Sequence, residues 1–174
     1  MTTSRFAAQL NVQIGEEFAA HQQYVAIAVH YDALTMPQMA GFFYRQAREE
    51  RDHAMMMMRY LIDTDQPVQI PAVSAPVNGF EGVVAPVERA LAQEREVTTQ
   101  IHGLTRTARQ EDDFAAEQFM QWFIKEQVEE VAVMDDLLAV VARSQDDVND
   151  IEAYVERELQ AGGEDPMAPR VADA

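Results

Sequence analysis

The chain has 174 residues, enough for one domain with a substantial core, and contains no cysteine, so disulfides, thiolate metal sites and cysteine nucleophiles are excluded. A formal charge of −17 argues against nonspecific binding to DNA or RNA and suits a protein that attracts cations. Met1-Thr2-Thr3-Ser4-Arg5 has no apolar signal core, and no run of roughly 18 apolar residues follows, so a cytoplasmic protein with no membrane partner is expected.

Ser4 is placed to cap a first helix running to about Ala33. Its stripe reads Phe6, Leu10, Ile14, Glu17, His21, Tyr24, Ala28 and Tyr31, in steps of three and four. Thr35-Met36-Pro37-Gln38 reads as a capping box with Pro in the first turn, opening a second helix to about Thr64. That helix carries Phe43, Gln46, Glu50, His53, Met57 and Tyr60 on one face. The short link makes helices one and two antiparallel neighbours.

Asp65–Gly82 follows, punctuated by Pro67, Pro71, Pro76 and Asn78-Gly79, and is long for a loop. A helix of about 28 residues is roughly 40 Å long, and an extended linker of this size reaches about 60 Å. The linker can therefore run the whole bundle, leaving helix three parallel to helix two. Helix three spans Val84 to Gln110 or Glu111, with Val87, Leu91, Glu94, Val97, Ile101, Leu104 and Ala108 on its stripe. Asp112 or Asp113 caps helix four, whose stripe is Ala116, Met120, Phe123, Gln127, Glu130, Met134, Leu137 and Val141. A short fifth helix is expected over Asp147–Gln160, capped near Ser144 or Asp146. The expected fold is all-α: a four-helix bundle with one long crossover between helices two and three, plus the short fifth helix. Residues 1–160 form one domain, and 161–174, rich in Gly and Pro, form a flexible C-terminal tail.

An internal repeat underlies this layout. A shift of 77 positions carries Glu17, Glu50 and His53 onto Glu94, Gln127 and Glu130, and Met57 onto Met134. Two copies of one helical hairpin, related by a pseudo-twofold axis, bring these polar residues to one level of the bundle. Four carboxylates then face one another with one histidine and no Arg or Lys on the stripes. Like charges at such range force protonation or a bound cation. The oxygen-rich donor set suits iron or manganese better than a structural zinc. Two metals fit the ligand count, bridged by Glu50, with Glu130 as a second candidate bridge. Di-iron carboxylate bundles carry one Glu on each of two helices and Glu-x-x-His on each of the others. This chain matches in three helices and departs in the fourth, where Gln127-x-x-Glu130 stands.

With Gln22-Gln23-Tyr24, Glu49-Glu50-Arg51-Asp52-His53-Ala54, Ile70-Pro71 and Gln118-Phe119-Met120-Gln121-Trp122-Phe123, the sequence resembles the non-haem bacterial ferritins over roughly residues 5–160, and most of all the actinobacterial ones. The resemblance implies a ferritin-like subunit of a homo-24-mer that oxidises Fe(II) with O2 or H2O2 and stores ferric mineral. It implies that Glu17, Glu50 and His53 hold one iron and Glu50, Glu94 and Glu130 the second, with Gln127 near a bridging oxygen. Tyr24 would be a hydrogen-bond donor and one-electron donor beside the site, with Trp122 a candidate for the same role. On helix four, Glu126, Glu129 and Glu130 stand at i, i+3 and i+4, and the repeat pairs Glu126 with Glu49. These residues make a third iron pocket the expectation, as in the family resembled. Bacterioferritins place a haem-ligating Met directly after the helix-two glutamate; Arg51 stands there, so no haem is expected. Asp112, Asp113 and Glu117 fall where the family lines its threefold pores. The competing readings are a small-oligomer di-iron redox enzyme or peroxidase without storage, a DNA-binding starvation-type cage, which would need a basic tail, and a metal-free bundle, which leaves the facing carboxylates unexplained.

Overall fold

The structure, a computed structural model, describes residues 4–160 and 165–172. Helix α1 spans Arg5–Ala33, α2 Pro37–Asp63, α3 Ala85–Gln110, α4 Phe114–Arg143 and α5 Val148–Glu158, and among the described residues there is no strand. α1 packs chiefly on α2 and α3 on α4, α1 also meets α3, and α5 rests on α2 and α4. The expected all-α bundle with a fifth helix is therefore present. α5 is shorter than expected, beginning after its cap Asp147 and ending at Glu158.

The core has two apolar halves. One gathers Phe6, Leu10 and Ile14 with Met57, Leu61, Ile101 and Phe123; the other gathers Ile27, Tyr31, Phe43, Leu91 and Leu137 with Val155 of α5. Along each long helix the switch between halves falls at the polar residues: Glu17 in α1, Glu50 and His53 in α2, Glu94 in α3, Gln127 and Glu130 in α4. The 3.6-residue period thus builds a slab of charge between two layers of oil.

The crossover is fastened to α1 along its length. The Asn11 side chain donates to Pro67 O at 2.9 Å and accepts from Gln69 N at 2.6 Å. Gln23 does the same for Val77, at 3.0 and 2.9 Å, and Tyr31 OH donates to Val83 O at 2.7 Å. Contacts ordered from residue 11 to residue 31 carry the chain from one end of α1 to the other, so α3 starts beside the start of α2 and runs parallel to it. Gly15 permits the close approach: a Cβ there would lie 2.8 Å from Pro71 Cγ.

The helix ends follow one device. Thr35, Asp65 and Asp112 each have positive φ just past a helix, and Met36 N, Gln66 N and Asp113 N reach back to Tyr31 O, Leu61 O and Ala108 O at 3.0, 2.8 and 3.0 Å. These are Schellman closures. Thr35 is therefore the C-terminal closure of α1 and not part of a capping box. The N-cap of α2 is Met36, with no side-chain cap; the Glu152 carboxylate of α5 accepts from Gln38 N and Met39 N at 2.8 and 2.9 Å instead. Glu111 serves α1 likewise, accepting from Arg5 N and Phe6 N at 3.1 and 3.0 Å, alongside the expected Ser4 cap.

Part of the tail is docked. Ala168, Val171 and Ala172 pack against the apolar half that contains Phe6 and Phe123. The expected mobility of 161–174 thus meets a seated segment over 165–172; residues 161–164 and 173–174 lie outside the described residues.

Candidate metal centre

Glu17, Glu50 and His53 each offer a ligand atom within 4.8 Å of the others, and all three are buried. The α2 pair stands one turn apart, so helical geometry alone brings Glu50 Oε2 to 3.3 Å from His53 Nδ1. Glu17 arrives from the antiparallel neighbour. Its Oε1 accepts from Gln13 Nε2 at 3.0 Å, whereas among the described residues no donor reaches its buried Oε2. Burial above all, then the Glu50 charge, pushes the Glu17 carboxyl well above its ordinary range. Burial followed by the Glu94 charge does the same to Glu50, and hydrogen bonding with the Glu17 carboxyl offsets part of that rise. Two buried carboxyls that face each other need either a proton or a cation between them.

The other half of the layer is built by α3 and α4. Glu94 is fully buried; Tyr24 OH donates to its Oε1 and Gln127 Nε2 to its Oε2 at 3.1 Å. Gln127 also donates to Glu94 O and Thr98 Oγ1, both at 3.2 Å. Burial raises the Glu94 carboxyl, and the Tyr24 and Gln127 donors partly restrain it. Glu130 is raised further by burial, then by Glu94 and Glu50. The same surroundings push up the Tyr24 hydroxyl, burial first and then Glu94.

Of the residues expected to form a third pocket, Glu130 belongs to this layer and Glu49, Glu126 and Glu129 sit outside it. Glu126 is half-buried and raised, first by burial, with Glu129 and Glu49 also adding to it. Glu49 is exposed and accepts from Gln46 Nε2. Glu129 is exposed and lies 3.7 Å from Lys125 Nζ. A cavity of about 220 Å³ between α2, α4 and α5 borders both Glu49 and Glu130. Arg51, at the position considered for haem ligation, has Nη1 2.7 Å from Asp52 Oδ1.

Sequence reasoning missed Gln13 and Thr98. Both were open to it, since Gln13 precedes Glu17 by four positions and Thr98 follows Glu94 by four, which puts each pair on one helix face. Asp165, which accepts from Trp122 Nε1 at 3.0 Å, was also missed, and no periodicity could have signalled it.

A helical bundle cut by a buried carboxylate–histidine layer defines the class, and comparison with known proteins agrees. The Ferritin-like domain family matches residues 7–144. The chain is 49% identical over 169 residues to ferritin BfrB of Mycolicibacterium smegmatis, covering 97% of this chain and 93% of that one. It is 35% identical over 159 residues to a bacterial non-heme ferritin of Staphylococcus aureus, covering 91% and 95%. An open pore ferritin from the hyperthermophilic archaeon Archaeoglobus fulgidus superposes with a TM-score of 0.87 at 28% identity, over 92% of this chain and all of that one. The chain belongs to the ferritin family, among the non-haem bacterial ferritins and beside actinobacterial members.

Proposed function

We propose that this chain takes up Fe(II), oxidises it at an intrasubunit di-iron centre with O2 or H2O2, and stores the product as ferric mineral inside a cytoplasmic cage of 24 copies. The observation that carries the oxidation chemistry is the Glu17–Glu50 pair: two buried carboxyls beside His53, with Glu17 Oε2 reached by no donor among the described residues. Fe(II) is the substrate. Glu17, Glu50 and His53 hold the first ion, and Glu50, Glu94 and Glu130 the second. As the ions enter, they replace the protons that burial keeps on Glu17, Glu50 and Glu130, so uptake releases protons. For Glu94 to turn to metal, Gln127 gives up its bond to Oε2 and is left in place to donate to an oxygen between the ions. Tyr24 remains as a donor and an oxidisable ring beside them. The protein brings two like charges together in a dry layer and fixes their ligands; the electrons are the iron's.

Glu49, Glu126 and Glu129, together with Glu130 of the layer, hold a third ion at its border in this reading, with Glu129 leaving Lys125 to do so. No haem takes part: Arg51 lacks the thioether that ligates it, and purified protein is expected to show no Soret band. The deciding experiment replaces Glu50 or His53 by Ala and follows aerobic Fe(II) oxidation by stopped flow. Both variants are expected to fold and to lose most of the fast phase; wild-type rates in both would place the chemistry elsewhere.

A further inference from the structure

Trp122 is the only tryptophan in the chain. Its ring stands edge-on to His53, with centroids 5.5 Å apart and planes at 77°, so an aromatic contact leads directly from the metal-holding histidine to the indole. Its Nε1 donates to Asp165 Oδ2 at 3.0 Å. Lys125 Nζ lies 3.4 Å from the same oxygen, and Met167 N donates to Asp165 Oδ1 at 2.8 Å. The carboxylate is thus aimed at the indole by its own turn, and the segment is seated by Ala168, Val171 and Ala172. The Met167 amide above all, then Trp122, keeps Asp165 in its ionised form.

Any acceptor would satisfy an indole N–H; an ionised carboxylate is also a base. An indole that loses an electron becomes far more acidic at that nitrogen, about as acidic as a carboxylic acid, and a base already hydrogen-bonded to it eases the loss. Tyr24 is less suited to such a role, because its hydroxyl points at Glu94, which is itself buried within the layer. A proton moved there would stay among the ligands. The Asp165 side chain is 29% exposed, so a proton moved to it can pass to water.

Such a donor matters when the centre is half filled. Hydrogen peroxide takes two electrons on its way to water, and one Fe(II) supplies one; the missing electron is what turns peroxide into hydroxyl radical. We propose that Asp165 is the proton acceptor that lets Trp122 supply the second electron to a centre holding a single Fe(II). In this step the O–O bond of H2O2 breaks and two waters form with two protons from solvent. Fe(II) becomes Fe(III), the indole gives one electron, and its Nε1–H bond breaks with the proton going to Asp165 Oδ2. A neutral indole radical is left. The docked segment is then a working part of peroxide protection. This step rests on the ferroxidase reading above.

The test uses assembled wild type and the variants Asp165→Asn, Asp165→Glu and Trp122→Phe. Asparagine still accepts from the indole but is a very weak base. The fluorescence of the single tryptophan is expected to match wild type in Asp165→Asn, showing the segment still docked. One Fe(II) per chain is added anaerobically, then one H2O2, with freeze-quench EPR and a hydroxyl-radical trap. Wild type is expected to give a neutral tryptophan radical and little trapped hydroxyl. Asp165→Asn and Trp122→Phe should lose that radical and trap several-fold more hydroxyl, with Asp165→Glu restoring the wild-type pattern. Radical formation in wild type should also slow in D2O. Absence of the radical in wild type, an equal yield in Asp165→Asn, or a rate indifferent to D2O would each overturn the proposal. A parallel run with two Fe(II) per chain separates the two readings. Rapid oxidation there without a tryptophan radical in the one-iron run sinks only the role of Asp165, whereas no oxidation in either run sinks the centre itself and this step with it.

Discussion

Glu17 is 1% exposed and Glu50 2%, and their carboxyls titrate accordingly. Both are raised well above the ordinary value of 4.5, as is Glu130, with burial the largest cause in each. The sign follows from proton counting. Above pH 4.5 the unfolded chain has released these protons while the fold still holds them, so the metal-free fold binds more protons and loses stability as pH rises. Metal-free protein is therefore expected to melt at falling temperature as pH goes from about 5 to 8. Saturating divalent cation should flatten or reverse the trend, because the ion occupies the place of the protons. Replacing Glu17 and Glu50 together by Gln should flatten it without metal, and should raise metal-free stability at neutral pH by on the order of 1 kcal/mol. A melting temperature that climbs steadily with pH in metal-free wild type would contradict the assignment. This layer was legible in the sequence because each of its members interrupts an apolar stripe. What could not be read was which oxygens are already engaged: that Gln127 donates to Glu94 depends on rotamers across two helices.

Thr35 is β-branched and sits at φ 61° in the closure of α1, a conformation that L residues enter only at a cost. Thr35→Gly is expected to stabilise the fold by roughly 0.5–1 kcal/mol. Gly15→Ala acts in the opposite sense, since its Cβ would press on the Pro71 ring; a loss of about 1–3 kcal/mol is expected. Chemical denaturation of the metal-free protein measures both, and the two substitutions changing stability in the same direction would refute this account of the backbone. The helices and the crossover were readable from period, Pro positions and the reach of an extended chain. The caps were read less well. Thr35-x-x-Gln38 has the letters of a capping box, but the Schellman closure claims Thr35, and the α2 amides turn to Glu152, 114 residues away from Gln38. A carboxylate delivered from another helix leaves no local pattern to find. The docked segment over 165–172 escaped for the same reason: its anchors, Asp165 and Val171, have no period and gain meaning only against Trp122 and the core.

The single chain leaves large apolar side chains on its surface: Val12, Val29, Ile70 and Val77 on α1 and the crossover, and Phe114 and Val128 on α4. Scattered singly they would mean little, but Phe114 is 76% exposed at the head of a helix, where Asp112, Asp113 and Glu117 stand beside it. An aromatic ring left in water next to acids is what an assembly contact looks like before its partner arrives. Each copy also carries −17, so copies brought together repel unless cations or ordered contacts offset the charge. Closed association is then expected to be apolar at its contacts and to hold at high salt, where screening removes the repulsion. If the cage reading is right, 24 copies of a 19.6 kDa chain make a particle of roughly 470 kDa. Light scattering on native protein at low and high salt should return that mass in both, and Phe114→Glu should lower it by placing a further charge in a contact. A monomer or dimer throughout, with Phe114→Glu indistinguishable from wild type, would leave the iron chemistry standing and remove the cage.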